Sequence, residues 1–320
     1  IPESVSNLYD YTTTCVLKLN HSSIIAKGPR NYVLDTRREI LANRGFVVPQ
    51  DWELVWNRRV GPIWTPDQLA GCEIWCHQKG IYEEASATTK CAKWENELDS
   101  TTYFEQTYTD YMPTITTGGQ NGHAYFTFDG SNDYLLIPKL KEDGSTTMSI
   151  DFNPGANSSG DSGKGDFLFA AVGDWNNDSS QTKPIASNIA SSGSNNGWSL
   201  SPDTAGTDMG FLLNHDNTAM ANPTAGATNE QMVSAYKIGG TTELRYGRGA
   251  KVTSGVASKD CTVSYGSATA HGYLGRSTVN FLDCKIYEVV FAVDNGWAQS
   301  DMDKIEGYFA AKYNLSTSTG

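Results

Sequence analysis

A chain of 320 residues, 38% hydrophobic and 19% charged with a net charge of −12, can bury a large core and is expected to form about two structural units. Its 31 glycines, 16 tyrosines and 8 tryptophans suit an aromatic-rich, loop-rich all-β protein better than a helical one. The acidic balance without any Lys/Arg run excludes phosphate-driven binding of nucleic acid, and the longest apolar runs, Phe167 to Val172 and Val289 to Val293, fall far short of the ~20 residues that cross a bilayer.

Residues 1–62 stand apart, with 8 Lys+Arg against 6 Asp+Glu while the remainder is strongly acidic. The start, Ile1-Pro-Glu-Ser, has neither a basic nor an apolar signal region, so a secretion signal is absent or already removed. Val33, Leu34, Ile40 and Leu41 fall near one face of a predicted helix over 33–43, and Gly45 suits its C-terminal cap. A second short helix is predicted over 51–56, where Trp52, Val55 and Trp56 recur at i, i+3 and i+4. Two tryptophans on so short a helix need a surface to pack against. Trp52, Val55 and Trp56 are therefore the candidate partner-docking residues.

From Trp64 the pattern changes. Ala124 to Phe128 alternates and ends in an Asp-Gly turn, Met148 to Phe152 alternates again, and short strands fit 167–172, 197–200, 209–213, 231–236, 243–246 and 272–274. Many short strands separated by Gly, Asn, Ser and Thr indicate a sandwich. Residues 155–165, 179–196 and 214–229 read as long surface loops. A closing strand over 281–293 leads to a helix with Ser300 at its cap and Asp303 three residues on. Met302, Ile305, Phe309 and Tyr313 form its apolar stripe, and each large side chain buried there contributes about 1.5–3 kcal/mol.

The chemistry-bearing residues are sparse. Cys284 lies within an apolar strand pattern and reads as a buried thiol, and reduced cysteines are expected throughout. Glu97-Leu-Asp99 lacks the third acid of a glycosidase strand signature and reads as a polar turn after Trp94. Glu288 interrupts an apolar strand and reads as a hydrogen-bonded structural acid. Asp174, Asn176 and Asp178 place oxygens at alternate positions, but Ser179 and Ile185 stand where an EF-hand needs Gly and Glu, so they are the candidate metal ligands of a looser calcium loop. Asp129 and Asp133 are explained by Asx turns. Cys72, Cys76 and His77, with Cys91 or His123, are a weak zinc set because no second closely spaced pair follows.

No nucleophile–base pair can be nominated from the scattered histidines, and the chain is expected not to be an enzyme. Trp175, Trp198, Tyr246 and Tyr273 fall near predicted loop or strand ends. An exposed aromatic can stack on a sugar, so these four are the candidate glycan-binding residues, with core packing the alternative for each.

Three stretches carry a family resemblance. Trp64-Thr-Pro-Asp-Gln-Leu-Ala-Gly-Cys-Glu-Ile-Trp75 resembles the "W-T-P-x-x-L-x-G-L-x-L-W" opening of phage and bacterial laminin-G-like domains, with Cys76-His-Gln-Lys replacing the usual "L-D-A-S-D". Asn121 to Leu135, through Phe128-Asp-Gly-Ser-Asn-Asp-Tyr, is similar to "N-G-x-x-x-v-x-F-D-G-x-N-D-Y-L". Ile305-Glu-Gly-Tyr-Phe-Ala-Ala-Lys-Tyr-Asn-Leu315 is similar to the family's closing helix. Over residues 64–315 the chain resembles the laminin-G/concanavalin-A-like jelly rolls of tailed-bacteriophage structural proteins.

That resemblance implies an all-β, concanavalin-A-like jelly-roll sandwich over 63–320 with a closing helix over 300–313, preceded by a small α-containing docking arm over 1–62. It implies a virion structural protein, a capsid decoration or tail or fibre appendage assembled in the host cytoplasm. The arm would dock on other virion proteins of capsid or tail, the chain would be a homo-oligomer, and the sandwich would face a host surface glycan. Nucleic acid and membrane are not expected partners, and no cofactor is expected beyond the candidate calcium loop. A carbohydrate-binding lectin-like module is the alternative, and a glycoside hydrolase a further one.

Overall fold

The computed structural model describes residues 14–19, 22–27, 53–57, 64–138, 152, 167–175, 183–188, 197–202, 209–213, 216–221, 231–238, 241–246, 252–255, 270–277, 280–293 and 299–315. The chain divides into two compact units, Ile1–Trp64 and Thr65–Gly320.

In the first unit, β1 (Thr14–Leu19) pairs antiparallel with both β2 (Ser22–Lys27) and β3 (Glu53–Asn57). The segment expected to be the second helix is thus a strand, in which Val55 faces Val16 and Trp56 faces Cys15 across the ladder. The physical reason is that a helix of one or two turns leaves most of its backbone donors and acceptors unmatched. As a strand the same residues gain a ladder to β1, and Leu, Val and Trp suit a pleated surface. The expected helical stripe of Trp52, Val55 and Trp56 does not form, since Val55 and Trp56 are successive strand positions. Trp52 and the helix expected over 33–43 lie outside the described residues.

The second unit opens with β4 (Cys72–Cys76), β5 (Ile81–Glu84), β6 (Ala87–Asn96), β7 (Asp99–Glu105), β8 (Thr114–Thr116), β9 (Tyr125–Asp129) and β10 (Leu135–Pro138). It continues with β11 (Phe167–Asp174), β12 (Ala186–Ser187), β13 (Trp198–Pro202), β14 (Met209–Leu213), β15 (Asp216–Ala221), β16 (Gln231–Ile238), β17 (Thr241–Tyr246) and β18 (Val252–Gly255). It closes with β19 (Ala270–Leu274), β20 (Asp283–Val293) and the helix α1 (Gln299–Tyr313).

These strands form two antiparallel layers, the sandwich that the composition and strand pattern predict. One layer runs β18-β17-β16-β11-β20, and the outer edge of β20 is shared by β9 along its first half and β4 along its second, with β8 beyond β9. The other runs β5-β6-β7-β10-β19-β12-β13-β14-β15. Between them lies one aromatic-rich core that includes Trp94, Phe104, Phe126, Phe169, Trp198 and Phe291.

Burial explains why the strands read as they do. In β11 every residue is buried because it sits between β16 and β20 with both faces covered, hence its unbroken apolar run. In β9, buried and half-buried residues alternate. The stretch 214–229, expected to be loop, contains β15, and β5 to β8 occupy sequence in which polar residues hide the alternation.

Helix α1 covers the outer face of the first layer. Met302, Ile305, Phe309 and Tyr313 are fully buried, as their spacing predicts. Polar clamps hold the helix flanks, for Ser234 donates to Glu306 at 2.9 Å and Arg245 reaches Asp303 at 2.9 Å and Glu306 at 3.0 Å. The helix already begins at Gln299, so Ser300 lies in its first turn rather than at its cap. Cys72, Cys76, Cys91 and Cys284 form no disulfide, and burial, with Asp67 and Glu73 nearby, pushes Cys72 up to about 12. No helix among the described residues is long and apolar enough to cross a membrane.

Candidate functional site

Two of the four expected glycan-binding residues are core residues. Trp198 is fully buried, donates through Nε1 to the Phe152 carbonyl at 2.8 Å and stacks on Phe291 at 5.9 Å and 9°. Trp175 is 1% exposed. Its ring folds back over Gly173, where any Cβ would collide with it. Both are corrected from platform to core, because a large ring beside a glycine or an inward strand position finds more apolar area inside than outside. The side chain of Tyr246 lies outside the described residues.

Of the candidate calcium loop, Asp174 is buried at the end of β11 and pairs with Lys285 at 3.0 Å, while Asn176 and Asp178 lie outside the described residues. Among the described residues no group of three or more His, Cys, Asp or Glu could hold a metal ion, so Cys72, Cys76 and His77, with Cys91 or His123, do not assemble into one. Asp99 caps Thr101 and Glu97 stands 3.2 Å from His77, the polar turn expected after Trp94.

Glu288 is a buried structural acid, as expected. It accepts from Trp75 Nε1 at 2.5 Å, Tyr308 OH at 2.9 Å, Lys312 Nζ at 2.6 Å and Tyr313 OH at 2.6 Å. Burial raises both phenols and lowers Lys312, against the pull of Glu288 on the latter. The two tyrosines thus stay protonated as donors. This network ties α1 to β20 and β4.

Tyr273, the fourth expected residue, stands in a cluster at one end of the second layer, where the β7–β8, β9–β10 and β19–β20 connections meet. Tyr108 and Tyr111 are 66% and 40% exposed and meet edge-on at 6.0 Å and 62°. Tyr111 lies 6.0 Å from Tyr134, which lies 6.3 Å from Tyr273 and 6.1 Å from Phe281. The Arg276 guanidinium sits among the inner rings, 4.2 Å from Tyr134, 5.0 Å from Tyr273 and 5.3 Å from Phe281. Each such contact adds about 0.5–2 kcal/mol of cation–π attraction according to its exposure.

Hydrogen bonds tie the frame beneath. Tyr134 N donates to the Tyr111 carbonyl at 3.0 Å, and Gln106 joins the same loops by donating to the Tyr134 carbonyl at 3.5 Å and accepting from Tyr108 N at 3.1 Å. Lys90 Nζ donates to the Met112 carbonyl at 2.7 Å and lies 3.8 Å from the Asp133 carboxylate. Burial pushes Asp133 up to about 6, although Lys90 pulls the other way. At Asp129 burial acts upward too, but three backbone N–H groups, of Ser131, Asn132 and Asp133, outweigh it and hold the carboxyl low. This is the Asx turn expected there.

Gly275 (φ +76) lets β19 turn against Phe128, where a Cβ would clash. The arrangement is a rigid aromatic shelf whose outermost rings face solvent. Reading the sequence missed Tyr108, Tyr111, Tyr134, Arg276 and Phe281. Tyr134 lies inside the Asp-Gly motif and Arg276 just beyond the Gly-Tyr-Leu-Gly strand, but nothing in their local spacing places them side by side.

No protein-family model matches the chain, and no curated protein matches it. Similar solved structures include the Trypanosoma rangeli sialidase in complex with sialic acid, 10% identical over 95% of this chain and 44% of that one at a TM-score of 0.48. The binding domain of botulinum neurotoxin serotype D is 10% identical over 74% of this chain and 50% of that one at a TM-score of 0.44. An arabinofuranosidase complexed with arabinofuranosyl-alpha-1,2-xylobiose is 10% identical over 70% of this chain and 51% of that one at a TM-score of 0.43.

The chain spans less than half the length of the sialidase chains it matches, and none of these three is a phage protein. Enzymes stand among the similar structures, so the expectation that the chain is no enzyme is withdrawn. At so loose a likeness no activity is carried over to it. What the chain is rests on its own strand pairing: a mostly β, antiparallel sandwich closed by a C-terminal helix.

Proposed function

We propose that the sandwich binds a glycan at the shelf of Tyr108, Tyr111, Tyr134, Tyr273, Phe281 and Arg276. The observation that carries this function is the exposure of Tyr108 and Tyr111, at 66% and 40%, on loops tied by hydrogen bonds to one another and to Tyr134. Tyrosine offers a wide amphipathic face at low entropic cost, and a pre-set frame reduces the ordering that binding must offset. The apolar face of a sugar ring suits such surfaces, and its hydroxyls suit the phenol and guanidinium edges.

The setting proposed for this binding is the surface of a virus particle. Its support is the resemblance of Trp64–Trp75, Asn121–Leu135 and Ile305–Leu315 to tailed-phage structural jelly rolls, with the separate first unit serving to dock the chain, as a homo-oligomer, on capsid or tail proteins.

A glycan array with the intact chain tests the binding. Hits are expected, and Tyr108→Ala with Tyr111→Ala should abolish them without moving the melting temperature, since both rings are exposed. An array without hits, or hits that survive the double variant, would sink the proposal. Incubation with mixed polysaccharides, read by reducing ends, reports in parallel whether binding is followed by hydrolysis. Antibody labelling of purified particles tests the setting, and particles lacking the chain would refute it.

A further inference from the structure

We infer that this glycan site continues from the shelf across the outer face of the second layer, as a groove for an unbranched, uncharged oligosaccharide strand that ends at Tyr82. The groove rests on the glycan binding proposed above and specifies its ligand class. Pairing register places Tyr82, Lys93, Glu105, Leu136 and Tyr273 directly opposite one another on β5, β6, β7, β10 and β19.

Residues opposed in this way share one face of a sheet. Their chain neighbours Trp94, Phe104, Leu135 and Leu274 belong to the core, so the row points away from it. Four interstrand steps cover about 19 Å, more than one sugar ring occupies. Helix α1 lies on the other layer and leaves this face alone.

Exposure follows the row. Among the described residues the exposed large hydrophobic side chains are Tyr82, Tyr108 and Tyr111. The first stands at the far end of the row and the other two at the shelf. Between them Lys93, Glu105, Leu136 and Tyr273 are half-buried, as a groove floor is. Past Tyr273 the register continues to Ser187 and Ser199, which are buried, so the accessible stretch stops at the shelf.

Charge selects the ligand class. Lys93 and Arg276 balance Glu95 and Glu105, with Lys93 and Glu95 paired at 3.1 Å, on a chain whose net charge is −12. A polyanion meets no positive field there and is repelled by the whole molecule. Hydroxyl groups, by contrast, find both donors and acceptors along the floor.

The test is titration calorimetry of the full chain with cello-, xylo-, manno- and laminari-oligosaccharides, each from disaccharide to hexasaccharide, with heparin and alginate as polyanionic probes. In at least one neutral series affinity should tighten by about tenfold or more with length and hold as salt is raised. Tyr82→Ala should remove that gain while leaving disaccharide affinity and melting temperature unchanged, Tyr82→Trp should keep it, and Tyr111→Ala should weaken every length.

Binding that ignores length, or a gain that survives Tyr82→Ala, overturns the groove while leaving glycan binding at the shelf intact. Binding confined to heparin or alginate overturns the uncharged class. Silence from every probe overturns glycan binding and the groove together.

Discussion

Glu288 is fully buried, and two phenols, an indole and an ammonium converge on it. Its carboxylate is the shared acceptor for groups from β4 and α1, so removing it takes the acceptor from buried Trp75 and Tyr313 and from half-buried Tyr308 and Lys312. Glu288→Ala is expected to cost about 3–5 kcal/mol, read as a lower urea midpoint. An unchanged midpoint would mean that water satisfies those donors.

Two other buried groups set the response to acid, with opposite signs. The native Asp133 carboxyl, pushed up to about 6 by burial, holds its proton where the unfolded chain has lost it. Its contribution is complete below about pH 4 and is lost as pH rises through 6. His77 opposes it, because burial first, then Lys312 and Lys79, lower its ring to about 3. That contribution is complete above about pH 6.5 and is lost as pH falls toward 3.

Each group is expected to shift stability by about 1–3 kcal/mol across its window. Denaturation from pH 4 to 7 should therefore show Asp133→Asn losing stability more steeply in acid than the parent, and His77→Gln losing it less steeply. Parallel curves for all three proteins would refute both assignments.

At the scale of elements, α1 is the part most legible from sequence. Met302, Ile305, Phe309 and Tyr313 are all fully buried, as a 3.6-residue period requires. Phe309→Ala is expected to cost about 3–5 kcal/mol. Thermal unfolding and hydrogen exchange of the helix amides would check this, and full protection in the variant would show that the polar clamps at Glu288 and Arg245 hold the helix alone.

Strands were legible where one face is apolar, as in β9, or where both are, as in β11 and β20. They were not legible in β5 to β8. There the outward residues Lys93, Glu95 and Glu105 break the apolar pattern, and the alternation makes sense only once a second layer supplies an inside. The short run at β3 misled for the opposite reason. Five residues fit both periods, and the partner strand β1, far away in sequence, decided between them.

For the whole molecule, the division into two units lets the proposed docking be tested apart from the fold of the sandwich. Among the described residues, the aromatic core that links the layers draws on residues from Ile74 to Phe291, all in the second unit. Trp52→Ala combined with Trp56→Ala is therefore expected to leave the main thermal transition of the sandwich in place while abolishing incorporation into particles. A collapse of that transition would show that the first unit completes the sandwich core.

The all-β class, the closing helix with its buried stripe, the structural role of Glu288 and the burial of Cys284 are legible in the chain alone. Each is written in local periodicity, or in a charged residue set within an apolar run. Which aromatics face water is set by packing between segments distant in the chain. Trp198 went inside because β13 turns that position toward the opposite layer, and Trp175, just past the end of β11, because its ring folds back over Gly173. Tyr108, Tyr111 and Tyr82 stayed outside because α1 packs on the other face of the sandwich. Exposure depends on what the rest of the chain lays over a residue, and that covering comes from segments far away in the sequence.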